Sequence, residues 1–304
     1  MSHTPVLLKE VIEFLKPEPG KFFIDGTIDG GGHAIAILKK IMPEGLFLGL
    51  DWDVAMLSQV EKKIATISNF QFLISKQIFL KNGNYADLPE ILKKENLPKA
   101  DGLLLDLGFS SEQLESSGRG FSFKKDEPLL MTYDPSATPV REILKELKEE
   151  TLADIIFELS GERFSRKIAY AIKSREYKNP IETTGELNET IKRALPRNYE
   201  RGRIEPATRT FQALRIYANH ELENLENALK NISELLKPEG RVAIISFHSL
   251  EDRMVKKCFK RMAREGEIEI LTPKPVRPTR EEASTNPRSR SAMLRAAVLK
   301  TNNQ

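Results

Sequence analysis

Between Lys21 and Asp51 the chain twice runs a short apolar segment into a carboxylate, and glycines follow the first. Lys21-Phe-Phe-Ile-Asp25 leads through Gly-Thr-Ile-Asp29 to Gly30-Gly-Gly-His33, and Leu46-Phe-Leu-Gly-Leu50 leads to Asp51. Apolar runs this short, without polar alternation, suit parallel strands covered on both faces. A glycine cluster between such a strand and a helix lets the backbone approach a ligand, because no Cβ stands in the way. A carboxylate at the tip of the next strand can accept hydrogen bonds from both hydroxyls of a ribose. The pattern predicts a nucleoside-cofactor site at the carboxyl edge of a parallel sheet. NAD and S-adenosylmethionine satisfy it equally.

The surrounding pattern supports the sheet. Helical spacing over Val6–Leu15, Ala34–Ile41, Met56–Ile67 and Leu88–Lys94 alternates with strands at Lys21–Asp25, Leu46–Leu50 and Gly102–Asp106. Phe70–Ile74 and Ile78–Leu80 read as two strands or one bent one. From Glu112 to Glu205 only helices are predicted, with Thr151-Leu-Ala-Asp154 and Thr183-Thr-Gly-Glu186 as capping boxes. The α/β pattern then resumes. One long amphipathic helix is predicted from Phe211 to Ile232, then a strand at Arg241–Ser246 and an antiparallel pair, Glu267–Leu271 with Met293–Leu299. The fold class is α/β, a Rossmann-like sheet with an inserted all-helical domain: residues 1–111 and 206–304 form the core, and 112–205 the insertion.

Bulk properties narrow the setting. In 304 residues, 40% apolar, no stretch approaches bilayer-spanning length and no secretory leader is apparent, so a soluble cytoplasmic protein is expected. A single cysteine, Cys258, excludes an internal disulfide and reads as a packed helix position or a nucleophile. Four scattered histidines show no metal-ligand spacing, and no metal is expected. The net charge of +3 is unevenly spread: Arg253–Arg295 holds 12 Lys and Arg against 5 Asp and Glu, +7, leaving −4 elsewhere. That concentration suits either a polyanion such as RNA or a solvated tail.

Asp106 ends a strand and is followed by Leu107-Gly-Phe-Ser-Ser111. In a doubly wound sheet this position faces the reactive end of a cofactor held over the first two strands. Amine methyltransferases place an acidic or amide residue there to hold the target amine; a turn-capping Asp is the structural alternative. An NAD-dependent oxidoreductase gives neither this segment nor the basic C-terminal region a role.

Several longer motifs occur in order: His3-Thr-Pro-Val-Leu7, Gly31-Gly-His33, Asp106-Leu-Gly-Phe-Ser-Ser111, Arg119-Gly-Phe-Ser-Phe123, Pro206-Ala-Thr-Arg-Thr-Phe-Gln-Ala-Leu-Arg215, Ser246-Phe-His-Ser-Leu-Glu-Asp-Arg253 and Asn286-Pro-Arg-Ser-Arg-Ser291. Together they closely resemble the bacterial 16S rRNA cytosine-N4 methyltransferases, the RsmH family, formerly MraW, over essentially the whole chain. The resemblance implies methylation of the exocyclic N4 of one cytidine near the P site of the small ribosomal subunit, with S-adenosyl-L-methionine as cofactor. It places cofactor contacts on Gly31, Gly32, His33, Asp51, Tyr85, Asp106 and Gln113.

For the chemistry, Asp106 is the candidate acceptor for the amino proton, with Ser110 or Ser111 as helpers. His248 is a rival, or else a structural histidine of its loop. Arg119, Phe121, Phe123, Arg209, Arg215, Arg253, Arg288 and Arg290 are candidate RNA contacts, the phenylalanines as stacking platforms or as core residues, and the arginines on phosphate or paired with glutamates. The chain departs from the family pattern at Asp29, usually glycine, at Leu130 and Thr132, usually acidic and basic, and at Glu205, usually histidine. Those losses on the substrate side also admit a non-catalytic RNA-binding relative.

Overall fold

Seven strands form one sheet in the order β3-β2-β1-β4-β5-β7-β6. They are β1 (Phe22–Asp25), β2 (Leu46–Asp51), β3 (Ile78–Asn82), β4 (Ala100–Asp106), β5 (Leu236–Ser246), β6 (Ile268–Ile270) and β7 (Met293–Leu299). Neighbours from β3 to β5 run parallel, and β7 is antiparallel to both β5 and β6. This is a doubly wound, Rossmann-like sheet with one reversed strand, β7. The computed structural model describes residues 4–67, 70, 73–74, 76–108, 118–196, 199 and 205–301. Two compact units result, Met1–Phe109 with Leu222–Gln304, and Ser110–Glu221.

In the sheet unit, alternation along each strand sends successive side chains to opposite faces. Phe23, Phe47, Leu104 and Ile245 pack with α1 (Leu8–Leu15), α2 (Gly32–Ile41) and α3 (Val54–Ala65) through Val11, Ile37, Ile41 and Val60. Phe22, Ile24, Leu48 and Leu103 face α4 (Leu88–Lys94) and the helix Ser249–Arg264 through Leu88, Val255 and Phe259. Both faces are therefore dry, which is why the strands lack polar alternation. Register sets the edge: β1 lies between β2 and β4, with Asp25 opposite Gly49 on one side and Leu104 on the other. The tips of β1, β2 and β4 thus put Asp25, Asp51 and Asp106 along one carboxyl edge.

Some expectations are corrected. The run Phe211–Ile232 is three helices, Thr208–Ala218, Glu221–Lys230 and Ile232–Leu235, the first break falling where the backbone turns left-handed at His220 (φ 51). The Thr183 box forms, with Glu186 N–H donating to Thr183 Oγ1 at 3.3 Å and Thr183 N–H to Glu186 Oε2 at 3.2 Å. Thr151 caps nothing: its helix, Glu149–Ser160, already begins two residues earlier, after Lys148. Around Phe70–Ile74, the described residues contain only an isolated bridge, Ile74 to Ile78. The β6–β7 pair forms as expected.

The helical unit contains the helices Val140–Glu146, Glu149–Ser160, Ser165–Lys178, Thr184–Ala194 and Thr208–Ala218. It closes at Glu221 rather than at 205. The reason is that Thr208–Ala218 packs on the helices Glu149–Ser160 and Val140–Glu146, burying Phe211 and Leu214. Asn219 then ties its end, donating from Nδ2 to the Met131 carbonyl at 2.7 Å and accepting from Tyr133 N–H at 2.8 Å. Among the described residues no helix is long and apolar enough to cross a membrane.

Candidate functional site

Four buried carboxylates surround the turn after β1: Asp25, Asp29, Asp51 and Asp106. Asp51 is gripped from two sides, Oδ2 accepting from Asp29 N–H at 3.0 Å and Oδ1 from Asp53 N–H at 2.8 Å. Burial still pushes it up to about 6, against the pull of those backbone donors. Each oxygen keeps lone pairs for further donors, as a ribose diol requires. Asp25 Oδ1 accepts from Thr27 N–H at 3.2 Å, whereas its Oδ2 is buried with no hydrogen bond among the described residues. Burial, then the charges of Asp106 and Asp51, hold Asp25 well above the usual carboxylate range.

The glycines shape the turn. Gly31 opens α2 at φ 79, a left-handed conformation that side-chain-bearing residues resist. A Cβ on Gly26 would lie 2.6 Å from Leu105 Cδ2. Asp29 is also left-handed, at φ 45. That backbone explains the family's glycine there, and Asp is among the few other residues that tolerate it. Burial and the neighbouring carboxylates hold Asp29 well above the usual range, partly offset by Arg288.

Asp106 Oδ1 accepts from Gly108 N–H at 3.2 Å, and the Asp106 N–H donates to Thr27 Oγ1 at 2.6 Å. Burial, with Glu251 adding to it, pushes Asp106 up to about 7. His33 lies beside it, Nδ1 at 3.5 Å from Asp106 Oδ2 and Nε2 at 2.9 Å from the Val6 carbonyl. Tyr85 forms a single 3-10 turn after β3 and is largely buried against the sheet. Gly31, Gly32, His33, Asp51, Tyr85 and Asp106 therefore belong to the same sheet unit, with Gln113 and Ser110 outside the described residues.

A family model described as the MraW methylase family matches residues 1–300. The chain belongs to the MraW methylase family. Relatives named Ribosomal RNA small subunit methyltransferase H match over nearly the full length of both chains. One from Thermotoga neapolitana is 46% identical, covering 98% of this chain and 96% of its own. One from Syntrophobacter fumaroxidans is 41% identical, covering 97% and 96%.

The cofactor of this MraW-family chain is S-adenosyl-L-methionine. The donor set fits it. A sulfonium and an ammonium are cations, and the turn offers four buried carboxylates, one with an orphaned oxygen at Asp25 Oδ2. Asp25 is the residue that sequence reasoning passed over. It was visible as the carboxylate ending the first apolar run, but nothing local distinguished it from a turn cap.

His248 stands at the start of the helix Ser249–Arg264. Glu251 Oε2 accepts from Phe247 N–H at 2.8 Å and His248 N–H at 3.3 Å, while Oε1 lies 3.0 Å from His248 Nε2. These contacts tie the histidine to its own helix start.

The expected RNA residues separate into distinct environments. Phe121 is a correction: it is buried and stacked on Tyr133 with centroids 5.2 Å apart, so it presents no face to a base. Phe123 is half-buried, edge-on to Phe211 at 5.0 Å. Arg119 Nη1 donates to the Tyr133 carbonyl at 3.0 Å and Arg209 Nη1 to Tyr199 Oη at 3.3 Å. Arg215 makes a two-pronged pair with Glu221 at 2.8 and 3.0 Å. In the sheet unit Arg253 and Arg290 are exposed and Arg288 half-buried. Part of the basic C-terminal charge is internal: Arg295 on β7 is buried against Asp252, at 2.7 and 3.1 Å.

Proposed function

We propose that this protein methylates the exocyclic N4 of one cytidine in 16S rRNA, near the P site of the small ribosomal subunit, in the cytoplasm. The observation that carries this reading is Asp106: a buried carboxylate at the tip of β4, one strand from Asp25 and two from Asp51. The names of the relatives support ribosomal RNA as substrate. In this reading Gly31, Gly32, His33 and Gln113 line the cofactor, Asp51 takes the ribose hydroxyls and Tyr85 packs against adenine.

When bound, the cofactor supplies a methyl carbon made electrophilic by its sulfonium. The cytosine amine is a weak nucleophile because its lone pair is conjugated into the ring. The Asp106 carboxylate accepts a hydrogen bond from that amine and draws the nitrogen toward tetrahedral geometry. As the N–C bond forms and the S–C bond breaks, the proton shed by N4 passes to Asp106. The products are N4-methylcytidine and S-adenosylhomocysteine. Ser110 and His248 are the secondary candidates for handling that proton. The arginines Arg119, Arg209, Arg215, Arg253, Arg288 and Arg290 contact the RNA, with Phe123 as the stacking candidate. Phe121 has a packing role, stacked on Tyr133 within the helical unit.

The test is transfer of radiolabelled methyl groups into small subunits from a strain lacking the modification, followed by mass-spectrometric mapping. One labelled cytidine is expected. No label above background, with a related enzyme active alongside, removes the catalytic reading.

A further inference from the structure

The helix Ser165–Lys178 carries five Lys and Arg against a single Glu. Some of these charges are occupied within the unit. Arg175 pairs with Glu186 at 3.1 Å, and Lys173 Nζ donates to the Leu144 and Lys145 carbonyls at 2.7 and 3.1 Å. Others are not. Arg166 and Lys167 are exposed and, with Arg163 just before the helix, form no ion pair among the described residues. Arg163 and Lys167 lie instead over the Phe164 ring, at 5.1 and 5.5 Å from its centroid. Cations held on aromatic faces and left without a counter-charge suit an anionic partner.

Tyr170 stands on the same helix face, one turn after Arg166. It is 63% exposed, and its ring packs on no other aromatic among the described residues. Two turns further along this face Tyr177 is 91% exposed. Tyr170 borders a shallow cavity of about 410 Å³, lined also by Glu149, Arg166, Lys167, Ala171 and Ala194. That volume lies in the range of small-ligand sites. An exposed ring sharing one cavity with two cations and two alanines, against the single carboxylate of Glu149, matches a nucleobase that stacks while its phosphates meet the cations. The expected stackers, Phe121 and Phe123, are buried or half-buried, so Tyr170 is better presented than either, and unlike Tyr177 it borders the cavity.

We propose that Tyr170, with Arg166 and Lys167, forms a stacking site for an unpaired nucleotide of the RNA substrate, a contact within the helical unit that is separate from the methylated base. The proposal rests on the RNA reading above. Its test therefore reads binding rather than methyl transfer.

Affinity for small subunits lacking the modification is measured by co-sedimentation for the full-length protein and its variants. Tyr170→Ala is expected to weaken binding about 5- to 150-fold, the loss of one stacked base. Tyr170→Phe keeps the ring and is expected to bind like the parent. Replacing Arg166 and Lys167 by Gln together is expected to reduce the salt slope by about 1.4, two single-strand phosphate contacts. A Tyr170→p-benzoylphenylalanine variant then identifies the partner, and its crosslink is expected on RNA. Unchanged binding for Tyr170→Ala at an unchanged melting temperature overturns the proposal. So does a crosslink on ribosomal protein, or equal loss in Tyr170→Phe. Binding without methyl transfer in the parent, together with an RNA crosslink from the p-benzoylphenylalanine variant, supports this site and overturns the activity.

Discussion

His33 Nδ1 lies 3.5 Å from Asp106 Oδ2, while Nε2 of the same ring lies 2.9 Å from the Val6 carbonyl. A carbonyl only accepts, so Nε2 carries the proton and a neutral ring turns the Nδ1 lone pair toward Asp106. Burial pushes His33 down to about 4 and Asp106 up to about 7. Near neutrality a proton between them therefore belongs to the carboxyl, and the basic form of Asp106 grows as pH rises through about 7. Single-turnover methyl transfer should rise over the same interval. Asp106→Asn should lower that rate by roughly 100-fold or more, the scale of a lost general base. Its affinity for S-adenosylhomocysteine, read by calorimetry, should change much less. The reverse pattern would make Asp106 a binding residue.

The carboxylate cluster sets a charge rule for the cofactor. Asp51 is held near 6 and Asp106 near 7 by burial, so both lose protons between pH 5.5 and 7.5. A cationic ligand gains from that loss more than a neutral one. Affinity for S-adenosylmethionine should rise with pH across this window more steeply than affinity for S-adenosylhomocysteine, whose sulfur is uncharged. Asp51→Ala should weaken both ligands by about 2 kcal/mol, the scale of lost charged hydrogen bonds. Parallel pH profiles for the two ligands would remove the electrostatic account, and an unchanged affinity in Asp51→Ala would move the ribose elsewhere.

Asp29 meets two costs at one position. Its left-handed backbone costs roughly 1 kcal/mol relative to glycine, which glycine's larger unfolded-state entropy cancels in part, by about 0.4–1 kcal/mol. Its carboxyl is held above the usual range by burial, then Asp51, Asp106 and Asp25. A raised folded-state value means that the folded protein holds a proton the unfolded chain has released, so the group erodes stability as pH rises above about 4. Asp29→Gly removes that erosion and keeps the N–H that Asp51 accepts. The melting temperature of the variant should match or slightly exceed the parent's near pH 4.5, with the gap widening toward pH 8. A gap that narrows with pH would contradict the burial argument.

Much of this was legible in the sequence because the deciding signals are local. An apolar run ending in Asp marks a buried strand with a polar tip, and such runs single out Asp51 and Asp106, while Asp25, at the end of a third, goes unassigned. The illegible parts are decided by distant partners. Helical periodicity runs straight through Asn219–His220, yet the helix stops there because Asn219 bonds to Met131 and Tyr133, 88 and 86 residues away. Phe121 sits in a basic, aromatic motif that resembles a binding surface, and only the Tyr133 ring reveals it as core. Tyr170 shows the converse. Its helical spacing fits an ordinary surface residue, and the cavity beside it becomes visible only once the Thr184–Ala194 helix brings Ala194 alongside.

Arg295 follows the same logic within the basic C-terminal segment. It counts toward the segment's excess of positive charge, but it lies in β7, opposite Ile244, buried against the Asp252 carboxylate. Removing one member of such a pair strands a buried charge, at a cost of about 3–5 kcal/mol, while replacing both by apolar residues is often close to neutral. Asp252 retains some solvent contact, so the lower end of that range applies. Asp252→Ala should therefore lower the urea midpoint clearly, and Arg295→Met with Asp252→Leu should restore most of it. RNA affinity measured below the melting transition should be the same in all three proteins. A fall in RNA affinity for the double variant at restored stability would instead add Arg295 to the phosphate contacts of the segment that carries the +7 charge.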